Sequence, residues 1–420
     1  MENRGRKIRT VILGILFTIL FTTGYPVENV SQQVYAKSIE PTRSHLAQNS
    51  GETADNDAQS TAKCYMDLTE NETETDLSEA AGKTGNTDLS EESTETDTPE
   101  ESETEKSEQP EPVKNGLIRT ENGNLYYYKN GEKLTSCWKK MKGYKYYFSA
   151  SGKAVTGKKK IDADVYYFSD TGKMKSGWKT INDKKYYFDP KTGKMVTGKK
   201  HISHYLCHFD PKGVLTRKID KNKKMVALTY DDGPSMYTPR ILKTLKENNS
   251  VATFFVVGSR VSSHAGTIQQ AYDQGCEIGN HTFDHKILTR VGEQEVKNQV
   301  NKTNQAVKKI TGTKPAVLRL PGGAGNENVR SWIGMPSILW SIDTEDWRTR
   351  NTASTKQAVL EHVKDGDIVL MHDLYEATAN ASQTIIPTLV ERGYQLVTVS
   401  ELAECRGGLK DGTSYFRFRK

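Results

Sequence analysis

The stretch MVALTYDDGP, residues 225–234, decides the reading of the carboxy-terminal half of this 420-residue chain. Its apolar-rich start, Met225 to Tyr230, has the length of a core strand. It runs into two adjacent carboxylates, Asp231 and Asp232, and then into Gly233 and Pro234, which are turn chemistry. Taken alone, these residues fit an ordinary turn as well as a site. The residues that follow decide between the two.

Downstream the pattern alternates. Strands are expected at Met225–Tyr230, Ala252–Val257, Glu277–Gly279, Val317–Arg319, Ile338–Ile342, Ile368–Met371 and Gln395–Val399. Helical stretches, such as Glu293–Ile310 and Thr355–Val363, lie between them. Such alternation predicts a parallel α/β sheet or barrel. Polar clusters fall at the carboxyl ends of the predicted strands, where such folds place their sites. Asp231-Asp232 follows the first and His281-Thr-Phe-Asp-His285 the third. Arg319-Leu-Pro-Gly322-Gly323 follows the fourth, Asp343-Thr-Glu-Asp346-Trp347 the fifth, and His372-Asp373 ends the sixth. Singly, each has an ordinary explanation: an HxxxH pair is often a surface coincidence and an Asp-Trp pair a cap. Five together at strand ends are harder to dismiss.

Their chemistry is coherent. Two His four apart lie on one face of a helical turn, and with a carboxylate they make a His₂Asp metal set. Three protein ligands leave room for water and substrate. One acid of the Asp-Asp pair can ligate while the other serves as a base. Neighbours on a strand point opposite ways, so the Gly-Pro turn is expected to bring both acids into one pocket.

The motifs TYDDGP, HTFDH, RLPGG, DTEDW and LMH, with ATFFVVG at 252–258, occur in the order and spacing of the NodB-homology polysaccharide deacetylases, carbohydrate esterase family four, which residues 222–404 closely resemble. The resemblance implies a distorted (β/α) barrel and metal-dependent removal of acetyl groups from a polysaccharide. It implies Asp231 as general base, and Asp232, His281 and His285 as ligands of a divalent metal, zinc foremost. It implies the Gly322 backbone N–H as oxyanion donor and His372 as general acid. Asp346 would tune His372, Arg319 would orient Asp231, and Trp347 and Leu370 would line the acetyl slot. Gly322 departs from the family, which usually has an aromatic there, so a pocket wall is expected to be missing. Gly323–Met335 also looks short for the helix normally found at this point.

Outward from this segment the composition shifts sharply. Residues 113–218 carry 24 basic and 8 acidic residues, a net charge of +16. Aromatic triplets recur there about every 20 residues, at 126–128, 146–148, 166–168 and 186–188, with a degenerate copy at 205–209 and glycines in step. Each unit reads as a strand, a Gly turn and a second strand. A single hairpin is not stable alone, but stacked hairpins share a core. The block resembles the cell-wall-binding repeats of secreted bacterial surface proteins. In choline-binding relatives such aromatics cage a cation. Trp138, Trp178, Tyr147, Tyr167 and Tyr187 are the wall-binding candidates, but Lys158 and Lys199 stand at the alternate Trp positions. The charge favours polyanionic wall polymers such as teichoic acid; it would suit nucleic acid too, but export argues against that.

Residues 37–112 carry 21 acidic and 5 basic residues, a net of −16, and read as a disordered acidic spacer, with an acidic interaction tail as the alternative. Residues 1–36 read as an export signal: Arg4, Arg6, Lys7 and Arg9 precede an apolar run from Val11, and Val34-Tyr35-Ala36 offers a cleavage point. An uncleaved membrane anchor is the alternative, and the only route by which a membrane would be a partner. Either way residues 113–218 (repeats) and 219–420 (catalytic) lie outside the cytoplasm. Five scattered cysteines make neither a disulfide framework nor a cysteine zinc site. The chain is thus expected to be a secreted, wall-associated enzyme that deacetylates peptidoglycan N-acetylglucosamine. The alternatives are a deacetylase or esterase of acetylxylan, chitin or a surface polysaccharide, and a non-catalytic wall-binding protein.

Overall fold

The computed structural model describes residues 113–420. The expected export signal and acidic spacer lie outside the described residues. Among the described residues no helix is long and apolar enough to cross a membrane, and Cys207, Cys276 and Cys405 are free thiols.

The basic block folds as successive β-hairpins. Cys137–Met141 pairs with Tyr144–Phe148, Gly157–Ile161 with Asp164–Phe168, Gly177–Ile181 with Lys184–Phe188, and Gly198–Ile202 with Tyr205–Phe209. The tight loops have the left-handed backbone that two-residue hairpin turns demand: Lys142 and Gly143 both have positive φ, as do Asn182 and Asp183. The longer partner of most aromatic strands is therefore the strand before them; shorter pairs cross the Gly turn, as Tyr128 with Lys133 and Tyr167 with Lys175, and Tyr205–Phe209 pairs equally with Leu215–Asp220 beyond its turn. Beyond two of the Gly turns the segment has a second use. Ala154 N–H donates to Leu125 O and Met195 N–H to Val165 O, so these two segments bind the preceding hairpin and stack the units. Phe148, Phe168 and Phe188 recur every 20 residues and are fully buried, forming the spine of the stack.

The second half is mixed α/β. Its central strand, Met225–Asp231, is buried at all seven positions, as expected of a parallel strand covered on both faces. It lies between Thr253–Val256 and Asp367–His372, with Glu277–Asn280 and Ile342–Asp343 outside them, and Gln395–Leu396 pairs with its start. All these pairings are parallel. The register sets Asp231 level with both Phe255 and His372, which brings two of the motif ends side by side.

Four expected strands are shorter than the sequence implied, Ala252–Val257 being trimmed to Thr253–Val256. Val317–Arg319 is reduced to single bridges from Leu318 to Asn280 and to Ser337. Ile338–Ile342 divides into Ser337–Ile338 and Ile342–Asp343, because Leu339 bonds Tyr415 O while Ser341 bonds Ile368 O. The last strand stops at Leu396, because Thr398 and Glu401 form a capping box that starts the helix Val399–Arg406. The helix Glu293–Thr311 ends at Gly312 in the left-handed conformation. After Gly323 the helix is only Glu327–Ile333, seven residues.

The last hairpin is built into the α/β core. Leu206 and Ile219 pack with Met225, Phe255, Ile368 and Leu402. Arg217 Nε donates to Glu401 Oε1 at 2.8 Å and its Nη2 to Leu396 O at 2.9 Å. The strand Leu215–Asp220 continues across position 218.

Gly279 is where strand packing is tightest: a Cβ there would lie 2.5 Å from the Phe255 ring. Gly279→Ala is expected to cost roughly 1–3 kcal/mol in urea unfolding, as overpacked cores do. Gly266→Ala, a helix position with nothing within 4 Å of an added Cβ, is the matched control and should be neutral or stabilising.

Candidate active site

The strand ends at Asp231, and Asp232 then takes a left-handed backbone with φ 70°. That single reversal, not the Gly-Pro turn, swings the second carboxylate into the pocket of the first. Gly233 has a different task. A Cβ there would sit 2.2 Å from the Asp373 carboxylate, so the turn must pass over Asp373 bare. Burial pushes the Asp373 carboxyl up to about 7.

Asp232 Oδ1 lies 3.3 Å from His281 Nε2 and 3.1 Å from His285 Nε2. The expected helical turn under the two His is absent. Residues 281–285 form an irregular loop in which Thr282 and His285 have φ of 64° and 60°. Side chains replace the missing helical hydrogen bonds. Asn280 Oδ1 accepts from Thr282 N–H at 2.8 Å, and Gln299 Oε1 accepts from Phe283 and Asp284 N–H at 2.9 and 3.1 Å. Asn280 is held in turn by Val300 O and Asn304 Oδ1. Gln299 and Asn304 were not foreseen; their one signal in the sequence is that they are polar residues on the buried face of the helix Glu293–Thr311.

The trio fits a metal ion. Its donor atoms lie within 4.8 Å of one another. Asp232 Oδ1 is buried and accepts no aligned hydrogen bond despite its two imidazole neighbours. Burial opposes the charge on Asp232, but the closeness of the His281 and His285 imidazoles outweighs it and holds the carboxyl well below its usual range. The same contact with Asp232 raises His285. His281 Nδ1 lies 2.8 Å from Arg319 O, which can only accept, so Nδ1 carries the proton and Nε2 offers a lone pair toward Asp232. Two imidazoles and one carboxylate suit a divalent cation.

Asp231 is 3.8 Å from His281 and is clamped by Arg319, whose Nη1 donates to it at 2.8 Å. Arg319 has no exposed surface. Its remaining donors reach Thr229 Oγ1, Ile338 O and Leu339 O at 2.7–3.0 Å, and its guanidinium lies 4.3 Å from the centre of the Phe255 ring.

Opposite Asp231, His372 Nδ1 is 2.8 Å from Asp346 Oδ1. The fully buried Asp346 also accepts from His372 N–H, Trp347 N–H and the Thr378 hydroxyl. Burial disfavours the charged imidazole, but Asp346 outweighs it and raises His372 to about 9. Their pairing therefore stabilises the fold fully below the unfolded value of about 6.5. That stabilisation is lost as pH rises through about 9.

Gly322 sits in the turn Pro321–Gly323 with φ 63°, and an added Cβ would meet only Ile287 at 3.6 Å, so this side of the site is open. Leu370 is buried and Trp347 is half exposed. In the hairpins, Trp138 packs on Tyr147 and Tyr166, Trp178 on Tyr187 and Phe209, and Tyr167 on Phe188. At the alternate position Lys158 lays its ammonium 4.4 Å from the centre of the Tyr186 ring, where Trp138 in the earlier unit meets Tyr166.

Comparison with known proteins agrees with this geometry. Residues 218–333 match the polysaccharide deacetylase model, residues 134–177 a choline-binding repeat and residues 176–195 a cell wall binding repeat. A peptidoglycan-N-acetylglucosamine deacetylase of Bacillus cereus is 35% identical over 199 residues, 45% of this chain and 93% of that protein. The chain belongs to the polysaccharide deacetylase family. The peptidoglycan-N-acetylglucosamine deacetylase PgdA of Listeria monocytogenes is 45% identical over 197 residues, 47% of this chain and 42% of that one. The peptidoglycan-N-acetylmuramic acid deacetylase PdaC of Bacillus subtilis is 42% identical over 189 residues, 45% of this chain and 40% of that one. The chain thus spans under half the length of these last two relatives.

Two outcomes are expected. Gln299→Leu should leave Phe283 and Asp284 N–H unpaired and weaken the affinity of the Asp-His-His trio for an added divalent metal roughly 10- to 100-fold, read by calorimetric titration; unchanged affinity would remove Gln299 from the support of the trio. Asp346→Asn should let the His372 imidazole titrate roughly two pH units below its value of about 9, read by NMR titration of that ring.

Proposed function

We propose that the chain is an exported, metal-dependent deacetylase that removes N-acetyl groups from peptidoglycan N-acetylglucosamine while its repeats hold it on the wall. The observation that carries the reading is one pocket in which an Asp-His-His trio meets two differently supported acid–base residues. Asp231 is clamped by Arg319, and His372 is raised to about 9 by Asp346. Groups whose environments are set apart in this way are the mark of acid–base assignment.

Asp232, His281 and His285 would hold the ion, which we assign as zinc. When bound, it would supply Lewis acidity to the acetyl carbonyl and acidify a water. The chain's own residues would do the rest. Asp231 takes the proton of the attacking water, with Arg319 fixing its orientation. The Gly322 N–H donates to the oxygen that gains charge. His372 delivers its proton to the departing amine, so the products are acetate and a free amino sugar. Leu370 and Trp347 line the slot for the methyl group.

The pairings that continue through Leu318, Ser337–Ile338 and Ser414–Tyr415 support a distorted (β/α) barrel for residues 219–420. The +16 charge of residues 113–218 and the lysine seated on Tyr186 favour an anionic wall polymer such as teichoic acid over choline.

The test is acetate release by the full chain from peptidoglycan, chitin oligomers and acetylated xylan, with zinc and with chelator. Metal-dependent release from peptidoglycan is expected; release from xylan alone would overturn the substrate. Asp231→Asn should lower kcat about 10²- to 10⁴-fold and leave sedimentation with purified cell walls unchanged. A fully active variant would sink the base assignment.

A further inference from the structure

Trp178 is one of two hairpin positions that keep their tryptophan, so the cleft beside it is where a cation acceptor is expected to survive. Its ring is 39% exposed. It packs on Tyr187 of its own hairpin, with ring centres 5.0 Å apart, and on Phe209 of the last hairpin, at 5.9 Å. The earlier unit has a third ring: Trp138 meets Tyr166 edge-on at 4.9 Å, two residues before Phe168. Two residues before Phe209 stands Cys207, so the last hairpin presents no ring at that place.

The strand paired with Cys207 supplies a cation instead. Lys218, on the strand Leu215–Asp220, is the register partner of Cys207. Its ammonium lies 3.5 Å from the centre of the Tyr205 ring and 6.0 Å from that of Trp178. Among the described residues Lys218 makes no ion pair. Asp220, two residues on along the same strand, faces His204 at 3.8 Å. The ammonium thus rests against two rings, one from each of the two hairpins that meet here.

We propose that Lys218 is a built-in ligand: its ammonium fills the cation-acceptor cleft between the hairpin of Trp178 and the last hairpin, and so closes that cleft to a quaternary ammonium group of a wall polymer. An aromatic face attracts a cation through its electron-rich centre, and a face already covered has little more to offer. Lys218 reaches the rings on a long aliphatic stem and, being tethered, competes at the high effective concentration of an intramolecular group. Lys158 stands where a tryptophan is missing, whereas Lys218 covers one that is kept. A retained tryptophan therefore does not make an open cage in this stack. The inference concerns the hairpins alone and holds whether or not the pocket releases acetate.

The experiment is calorimetric titration of the full chain with choline, comparing the native protein with Lys218→Ala, Lys218→Thr and Lys218→Arg. The two neutral variants should each bind choline at one site about tenfold more tightly than the native chain, as release from one competing cation–π contact implies. Threonine suits a strand, so a folding loss in the alanine variant leaves the test intact. Lys218→Arg keeps a cation on the rings and should behave as the native chain does. Any site on the earlier hairpins is common to every protein in the series, so only the difference is read. Adding Trp178→Leu to Lys218→Ala should abolish the gain. Equal titrations for the native chain and both neutral variants, with or without binding, would overturn the proposal. So would a gain that survives the loss of Trp178, or one that Lys218→Arg shows in full.

Discussion

The buried pair of Arg319 and Asp231 is the contact on which the rest of the site depends. A guanidinium with no exposed surface is tolerable only when its donors are largely filled, and here Thr229, Asp231, Ile338 and Leu339 take four of its five N–H groups while the Phe255 ring lies beneath. Because these partners come from three separate strand segments, the arginine fixes their relative depth. Its own carbonyl then orients His281. One residue thus aligns the candidate base through its side chain and a candidate ligand through its backbone.

The same logic repeats across the pocket at Asp346, whose four accepted hydrogen bonds join His372 to the Thr378 helix and to Trp347. The two carboxylates at the strand level thereby acquire different partners, a guanidinium for Asp231 and an imidazole for Asp346. Between them the ligand loops rely on left-handed backbone at Asp232, Thr282 and His285, conformations that unsupported chain rarely adopts. The support comes from Asn280 and Gln299, buried polar residues that would be costly if they were not fully bonded.

Much of this was legible in the sequence, because the motifs are local. Asp231, Asp232, His281, His285, Arg319, Asp346 and His372 could be named from strand-end clusters, and the structure brings all seven into one region. What was not legible is long-range or backbone-borne. Nothing in HTFDH announces that the loop is irregular, since its support lies on a helix some 15 residues later. Strand Val317–Arg319 failed because pairing there is limited to single bridges, for which the sequence carries no periodic signal. The pairing across the Gly turn that the sequence suggested is present, but in most units it is short, because the tighter turn before each aromatic strand, spelled by residues as varied as Lys142-Gly143 and Asn182-Asp183, joins the longer pair.

The merging of the last hairpin with the α/β core has a mechanical consequence. Leu206, Ile219 and the Arg217–Glu401 pair tie the last hairpin directly into the α/β core. The hairpin's buried side chains thus share a core with the strand that ends in Asp231. A molecule held by such a stack would meet its polymer like a stylus on its arm: the place of attachment selects which bonds pass beneath the tip.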